Sequence, residues 1–260
     1  YDQGATFALD AAIAAGAAAF EAGADLVDVG GVKFAPGPEL PIEEECERVI
    51  PLVRELAQPG PVSVDTFHPV VARRAIAAGA AVINDTTGVH DPAMADVVAD
   101  SDATLVVAHS RASPRTQLPL PHYDDVVAQV RAFLDERVAL AESRGVPRER
   151  LIIDPGHDLN KNTRHSLELT RRLGELAGSG LPLLVALSNK DFIGESLGRP
   201  RSERLPGSLA AAVYCALQGA RMLRVHNVPE SVDAARMVES IWGWREPATL
   251  VHNMRPEGNE

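Results

Sequence analysis

Short runs of Val, Ile and Leu alternate along this chain with longer stretches in which apolar residues recur every three or four positions. The short runs are typical of strands covered on both faces, and the longer stretches have the period of amphipathic helices. The clearest strand is LPLLVALS at 181–188, which follows Gly180 and ends at the polar residues Asn189, Lys190 and Asp191. The pattern predicts an α/β fold.

This strand-then-helix pattern occurs seven times, after an opening helix over residues 6–21. Parallel strands need long crossover connections, so strands that alternate with helices predict a parallel sheet. The predicted strands are DLVDVGG at 25–31, PVSVDT at 61–66, AVINDTTG at 81–88, TLVVAHS at 104–110, LIIDPG at 151–156, LPLLVALS at 181–188 and MLRVHNV at 222–228.

Seven such units and an opening helix without its own strand add up to a (β/α)8 TIM barrel, if the first strand lies before Tyr1. We therefore predict a TIM barrel that lacks its first strand and forms a single domain over residues 1–260. An open, doubly wound sheet is the alternative. No G-x-G-x-x-G sequence follows any strand, so the dinucleotide-binding version of that fold has no support.

The formal net charge of −11 restricts the classes of molecule that the protein is expected to bind. It argues against nucleic acid or an anionic membrane surface and favours a small molecule bound in a local pocket. The two cysteines, Cys46 and Cys215, lie in helical patterns, so we expect buried free thiols and a reducing, cytoplasmic location. The opening helix carries Asp10 and Glu21, which argues against a signal sequence or membrane span.

Polar side chains stand at the carboxyl ends of the predicted strands, where a barrel of this type places its active site. Arg224 and His226 are two residues apart, so we expect both to project to one side as a cationic pair for phosphate or diphosphate. Lys190 is expected to add a third positive charge. The short groups suited to the edge of a flat nitrogen heterocycle are Asp65, Asn84 and Asp154.

Each of these residues also has a purely structural interpretation. Asp154 before Pro-Gly is typical of a turn or helix cap, and the pair at 84–85 is a turn signal. Arg224 has an alternative partner in Asp28, and His109 fits a satisfied strand-end histidine better than a catalyst. The sequence has no Cys/His metal spacing, HExxH or G-x-S-x-G, so a zinc hydrolase or serine esterase has little support.

In order and spacing, several motifs together resemble the dihydropteroate synthase family over nearly the whole chain. The matching segments are GADLVDVGG, SVDT, INDTTG, DPAMA, DPG, LSNKDFIG and RVHNV. The resemblance implies a barrel, usually a homodimer, that condenses 6-hydroxymethyl-7,8-dihydropterin diphosphate with 4-aminobenzoate and releases diphosphate in the presence of Mg²⁺. It also implies a pterin pocket and a diphosphate site, formed respectively by Asp65, Asn84, Asp154 and Lys190, and by Arg224 and His226.

Departures from the family pattern cluster on the side of the second substrate. After DVGG the family continues Glu-Ser-Thr-Arg-Pro-Gly, whereas this chain has Val32, Lys33, Phe34, Ala35, Pro36 and Gly37. In the family's Ser-Arg-Lys triplet, Ser188 and Lys190 are kept but the arginine is Asn189, a neutral amide in place of a bidentate cation. The aspartate after the last-strand histidine is Asn227, and the loop after DPG is altered at 157–160.

These differences predict a divergent paralogue that keeps the pterin half of the site and has weak or absent condensation activity. In an active enzyme, Arg224, His226 and magnesium would stabilise the leaving diphosphate. The family's asparagine at the metal and diphosphate site falls before Tyr1, so no metal ligand is assigned in this chain.

Three alternatives stay open. In an active synthase, Lys33 would replace the lost arginine; in a non-catalytic pterin-binding or regulatory protein, Phe34 would contact a partner. A relative of the methyltetrahydrofolate-using methyltransferases would require a corrinoid partner. Apolar residues of the late helices either form a dimer interface or only cover the barrel; they are Leu209, Val213, Leu217, Val232, Met237 and Trp242.

Overall fold

The computed structural model describes residues 8–32, 37, 40–116 and 120–253. All seven predicted strands are present in it, each shorter than the apolar run that predicted it. The strands are β1 (Val27–Gly30), β2 (Val62–Asp65), β3 (Val82–Asp85), β4 (Thr104–Ala108), β5 (Leu151–Asp154), β6 (Leu184–Ala186) and β7 (Met222–Arg224).

Helices follow every strand, as the pattern predicted. They are α1 (Leu9–Glu21), α2 (Ile42–Leu56), α3 (Pro69–Ala77), α4 (Ala93–Ala99), α5 (Val126–Ser143), α6 (Thr163–Arg171), α7 (Gly174–Ala177), α8 (Asp191–Leu197), α9 (Leu205–Leu217) and α10 (Val228–Ile241), with short 3₁₀ turns at Arg148–Arg150 and Arg201–Glu203. Helix α5 begins three residues after the predicted Tyr123, because the Asp125 side chain caps it by accepting from the backbone N–H groups of Val127 and Ala128 at 2.9 and 3.0 Å.

The strands are parallel and run in sequence order around the molecule. β1 to β5 form one sheet in that order, β6 pairs with β7, and a bridge between Ile153 and Leu183 joins the two groups. The register sets Asp65 beside Asn84 and brings Asp154 beside Ala108. The carboxyl ends of the strands therefore meet at one end of the molecule, and within the described ranges no strand precedes α1.

Apolar side chains separate into two clusters because successive residues of a strand point to opposite faces. One small cluster contains one residue from each of four consecutive strands, namely Val82, Val106, Ile152 and Leu184. The larger cluster lies between the strands and the surrounding helices and includes Ile83, Leu105 and Val53. This two-layer arrangement is the one expected of a barrel with an outer ring of helices.

The two cysteines are free and buried, Cys46 in α2 and Cys215 in α9, as the helical pattern predicted. Within the described part of the chain, no helix is both long enough and apolar enough to cross a membrane.

Candidate functional site

Arg224, at the end of β7, forms ion pairs with two carboxylates from the first two strands. Its Nε donates to Asp28 Oδ2 at 2.6 Å, and its Nη2 donates to Asp65 Oδ2 at 3.0 Å. Asp28 lies on β1 and Asp65 on β2, so these contacts join the last described strand to the first two. The predicted Asp28 partner is confirmed, and Asp65 shares the same guanidinium.

Burial and ion pairing shift the pKa values of the groups in this cluster. Burial raises the pKa of Asp65 to about 7, although the Arg224 guanidinium acts in the opposite direction. The charges of Asp28 and Asp65 raise the pKa of Arg224, Asp28 contributing most, so the guanidinium stays protonated. One cation therefore faces two adjacent carboxyl groups.

Asn84, on β3, reaches the same cluster, in which two buried acceptors have no partner among the described residues. Its Nδ2 donates weakly to Asp28 Oδ2 at 3.4 Å, and only 3% of the residue is exposed. Two further oxygens, Asn84 Oδ1 and Asp28 Oδ1, are buried and accept no hydrogen bond from any residue that the structure describes. Buried acceptors without partners carry a free-energy cost that a ligand with adjacent N–H donors would remove.

Asp154 combines the turn role with a place in the pocket. Its Oδ1 accepts from the Gly156 backbone N–H at 2.7 Å, which confirms the structural interpretation of this residue. The residue is only 5% exposed, and burial raises the pKa of its carboxyl group. Lys190 lies on the same side, where its Nζ donates to the His157 carbonyl at 3.1 Å and burial lowers its pKa.

Two sequence departures from the family pattern are in direct contact. Asn189 Nδ2 donates to Asn227 Oδ1 at 3.3 Å, and the Asn189 backbone N–H donates to Ser208 Oγ at 3.0 Å. One residue earlier, Ser188 Oγ accepts from the backbone N–H of His226 at 3.2 Å. The segments after β6 and β7 are therefore linked twice, and the link at position 189 is made by two neutral amides.

His226 does not form the predicted cationic pair with Arg224. Strand β7 ends at Arg224, so the alternation of side chains along a strand does not extend to position 226. Desolvation first, together with nearby cations that include Arg224, lowers the pKa of His226 to about 4, so the ring is neutral near pH 7. Arg224 is thus the charged member, and His226 can contribute a neutral hydrogen-bonding ring.

Lys161 was not among the predicted site residues. Its buried ammonium group links His109, after β4, to the loop after β5. Its Nζ lies 2.8 Å from His109 Nδ1, 2.8 Å from the Gly156 carbonyl and 3.0 Å from the Leu159 carbonyl. Burial lowers the pKa of Lys161 to about 7 and that of His109 to about 2. A neutral His109 accepts from Lys161, so the prediction that this histidine is satisfied is confirmed.

The altered loop after β5 ties its neighbours together. Asn160, at φ 51°, accepts through Oδ1 from the backbone N–H groups of Arg111 and Ala112 at 2.7 and 3.1 Å. Asp158, at φ 64°, accepts through Oδ2 from the Asp191 backbone N–H at 2.7 Å. Both residues adopt the left-handed conformation that Asn and Asp tolerate better than other non-glycine residues. Through these hydrogen bonds, Asn160 holds the segment that follows β4 and Asp158 holds the segment that follows β6.

Part of the predicted site cannot be placed. Lys33, Phe34, Ala35 and Pro36 lie outside the described residues, so the structure does not test the alternatives that involve Lys33 or Phe34. Six predicted positions are brought to one end of the strands: Asp65, Asn84, Asp154, Lys190, Arg224 and His226.

With this geometry in place, comparison with known proteins decides the family. The family model described as pterin binding enzyme matches residues 1–226. The chain belongs to this pterin-binding family. It is a homologue of dihydropteroate synthase, and the TIM-barrel fold expected from that resemblance is confirmed by solved structures.

Two curated relatives illustrate the two branches that the chain resembles. It is 45% identical over 262 residues to "Inactive dihydropteroate synthase 2" of Mycobacterium tuberculosis, an alignment that covers 98% of this chain and 82% of that protein. It is 40% identical over 228 residues to the dihydropteroate synthase of Escherichia coli, covering 86% of this chain and 81% of that enzyme.

Solved structures show the same fold. The dihydropteroate synthase of Xanthomonas albilineans with 4-aminobenzoic acid superposes with a TM-score of 0.86 at 42% identity, covering 93% of this chain and 88% of that one. The Yersinia pestis dihydropteroate synthase with a sulfonamide drug complex gives a TM-score of 0.89 at 34% identity, covering 94% and 89%. The X. albilineans enzyme has also been solved in complex with 7,8-dihydropteroate.

Proposed function

We propose that this protein binds a pterin, as its diphosphate ester, at the carboxyl ends of β1 to β7, and that its condensation with 4-aminobenzoate is weak or absent. The observation that carries the first half is the pair of buried acceptors on Asp28 and Asn84, which have no hydrogen-bond partner in the described ranges of the chain. A reduced pterin presents adjacent N–H groups along its pyrimidine edge, which complement such acceptors. Asp154 offers a further carboxylate oxygen beside them.

The diphosphate would lie near Arg224, where a protonated guanidinium is exposed on one side. Its side chain is 40% exposed, although Asp28 and Asp65 occupy two of its donors. A diphosphate would share the guanidinium with these carboxylates, and a proton held by Asp65 would reduce the repulsion between acid and phosphate. Lys190 adds positive charge, and His226 adds a neutral ring nitrogen.

The second half of the proposal rests on the pair Asn189–Asn227. A carboxylate ligand is held best by a bidentate arginine, and this position offers a neutral amide, one of whose two N–H donors is already used by Asn227. Losing a charge-assisted hydrogen bond of about 1.5–3 kcal/mol weakens binding by roughly ten- to a hundredfold. Support for low activity also comes from the relatives called inactive, since they share 45% of aligned residues with this chain.

Magnesium and a homodimer are further parts of the proposal. Within residues 8–32, 37, 40–116 and 120–253, no group of three His, Cys, Asp or Glu side chains could hold a metal ion. Mg²⁺ commonly binds through one or two carboxylates together with the phosphates of a substrate, so we propose that magnesium would bind here together with the diphosphate ester. For the dimer, support comes from exposed apolar residues of α9 and α10, which are Leu217, Met237 and Ile241 at 47%, 57% and 69% exposure. Light scattering would measure the oligomeric state.

Calorimetric titration of the protein with the pterin diphosphate and with 4-aminobenzoate, separately and then together, tests the function. We expect heat of binding for the pterin diphosphate, little for 4-aminobenzoate, and no release of diphosphate when both are present. The E. coli dihydropteroate synthase serves as positive control under the same conditions. Absence of pterin binding contradicts the proposal, and diphosphate release with formation of dihydropteroate shows an active synthase instead.

A further inference from the structure

A second cluster of polar side chains lies beside the pterin pocket and has no part in the function proposed above. Glu45, in the first turn of α2, is 1% exposed. Its Oε1 accepts from Thr66 Oγ1 at 2.7 Å, and its Oε2 lies 2.7 Å from His68 Nδ1. Both oxygens of a buried carboxylate are therefore used to hold the segment that leads from β2 into α3.

The contact with Glu45 decides which nitrogen of His68 carries the proton. A carboxylate can only accept, so Nδ1 must donate, and in the neutral ring Nε2 then bears the lone pair. No described residue forms a hydrogen bond with Nε2, and 23% of the side chain is exposed. The ring therefore offers an oriented acceptor to a ligand, as histidines paired with a carboxylate commonly do.

The cluster adjoins the pterin pocket on the side where the loop after β1 begins. Thr66 donates its backbone N–H to the Asn84 carbonyl at 3.3 Å, directly after Asp65. A Cβ atom at Gly31 would lie only 3.0 Å from Glu45 Cγ, so this glycine packs against the buried acid. The charge of Glu45 is also among the groups that raise the pKa of Asp65.

We propose that His68 Nε2 accepts a hydrogen bond from a neutral N–H or O–H group of an uncharged second ligand, such as a carboxamide in the place of a carboxylate, and that this position selects such a ligand over a carboxylate. The inference rests on the proposed pterin site and names the chemical class of its second ligand. Two features disfavour a carboxylate: the Nε2 lone pair cannot donate a hydrogen bond to it, and Glu45 places a negative charge behind the ring.

A matched pair of probes tests this proposal: 4-aminobenzamide, which is uncharged, and 4-aminobenzoate, which has nearly the same shape. Their dissociation constants are measured by calorimetry on protein already saturated with the pterin diphosphate. We expect the amide to bind about tenfold more tightly, which corresponds to one net hydrogen bond. Equal affinities, or tighter binding of the carboxylate, overturn the inference.

Glu45→Gln gives a readout that a purely structural role would not produce. The glutamine amide donates to His68 Nδ1, so the ring proton moves to Nε2 and the acceptor becomes a donor. We expect the preference for the amide to be lost or reversed, and ring-nitrogen NMR shifts of His68 to report the change of tautomer. An unaltered preference, or a wild-type ring protonated on Nε2, contradicts the proposal.

Two further variants control for folding and for general effects of histidine. His68→Phe keeps an aromatic ring but removes the acceptor, and it should abolish the preference while pterin binding persists. His122→Asn changes another histidine that contacts a carboxylate, Asp124 at 3.2 Å, but is 84% exposed; it should leave the preference intact. Loss of pterin binding in the wild type refutes the proposed function, whereas pterin binding without amide preference refutes only this inference.

Discussion

Arg224 Nε lies 2.6 Å from Asp28 Oδ2, and this ion pair joins β7 to β1 across the interval between the last and first described strands. A partly exposed ion pair contributes modestly to stability, but here it also fixes the orientation of the guanidinium at the pocket. Because Asp65 shares the same cation, removal of Arg224 leaves two carboxylates facing each other.

Replacement of that cation should affect ligand binding more than stability. For Arg224→Gln we expect roughly a ten- to hundredfold higher dissociation constant for the pterin diphosphate, together with a lower melting temperature. Calorimetry and thermal unfolding measure the two effects. Arg245→Gln, which removes another exposed arginine paired with an acid, Glu239 at 2.9 Å, should change neither. Unchanged affinity in Arg224→Gln would place the diphosphate elsewhere.

Asn84 should be required for pterin binding but not for folding. No described residue donates to its Oδ1, and its Nδ2 contact is long at 3.4 Å, so Asn84→Leu removes little hydrogen bonding between described residues. We expect at least about a tenfold loss of pterin affinity with an unfolding free energy within about 1 kcal/mol of wild type. Asn253→Leu, at an exposed position, is the control for pterin affinity. A variant that binds the pterin normally would remove Asn84 from the pocket.

The contact between Asn189 and Asn227 predicts that the two positions are coupled. Asn189→Arg alone should destabilise the protein by about 1 kcal/mol, because position 189 has φ 58° and a left-handed conformation disfavours arginine. Adding Asn227→Asp should recover stability through an ion pair, with a coupling free energy of about 0.5–3 kcal/mol. Denaturant unfolding of the four proteins in the cycle measures it.

A matched control separates backbone strain from the new ion pair. Asn253 also has a positive φ, 53°, and is exposed, so Asn253→Arg should carry the conformational cost without any coupling to position 227. The double variant at 189 and 227 should also gain affinity for 4-aminobenzoate. Strict additivity, with no gain in affinity, would show that the amide pair does not control the second half of the site.

Buried His157 should make the protein less stable in acid. Burial lowers the pKa of His157 to about 3, and its Nδ1 has no hydrogen-bond partner within the part of the chain that the structure describes. The histidine of the unfolded chain binds a proton near pH 6.5, whereas the buried ring of the folded protein does not. This group therefore lowers the free energy of unfolding as pH falls below 6.5. The loss amounts to at most about 1.4 kcal/mol per pH unit, until the folded-state pKa is reached.

His157→Gln removes this titration and so tests it. Relative to wild type, the free energy of unfolding of the variant should rise as pH decreases from 6.5 to 4.5. Because other groups titrate equally in both proteins, the difference between denaturation curves isolates His157. His252→Gln, at an exposed histidine, should show no such trend. Parallel curves for His157→Gln and wild type would mean that the ring is protonated in the fold.

The sequence determined the fold class and most of the pocket. A run of apolar residues that ends at a polar one identifies strands such as LIIDPG. The helix that follows each strand then predicts a parallel sheet. Since all carboxyl ends of such a sheet lie together, Asp65, Asn84 and Asp154 were predictable as neighbours from strand position alone. The same local rules predicted the burial of both cysteines.

Only the tertiary structure decided which polar groups form hydrogen bonds or ion pairs with one another and which remain available to a ligand. Residues such as Glu45 and His68 are 23 positions apart, and nothing in either local pattern indicates that helix packing brings them to 2.7 Å. The same holds for Asn189 and Asn227, and for the burial that makes His226 a neutral ring instead of a second cation. Strand order follows from short-range periodicity, whereas hydrogen bonds and pKa values depend on distances of a few ångströms that packing alone sets.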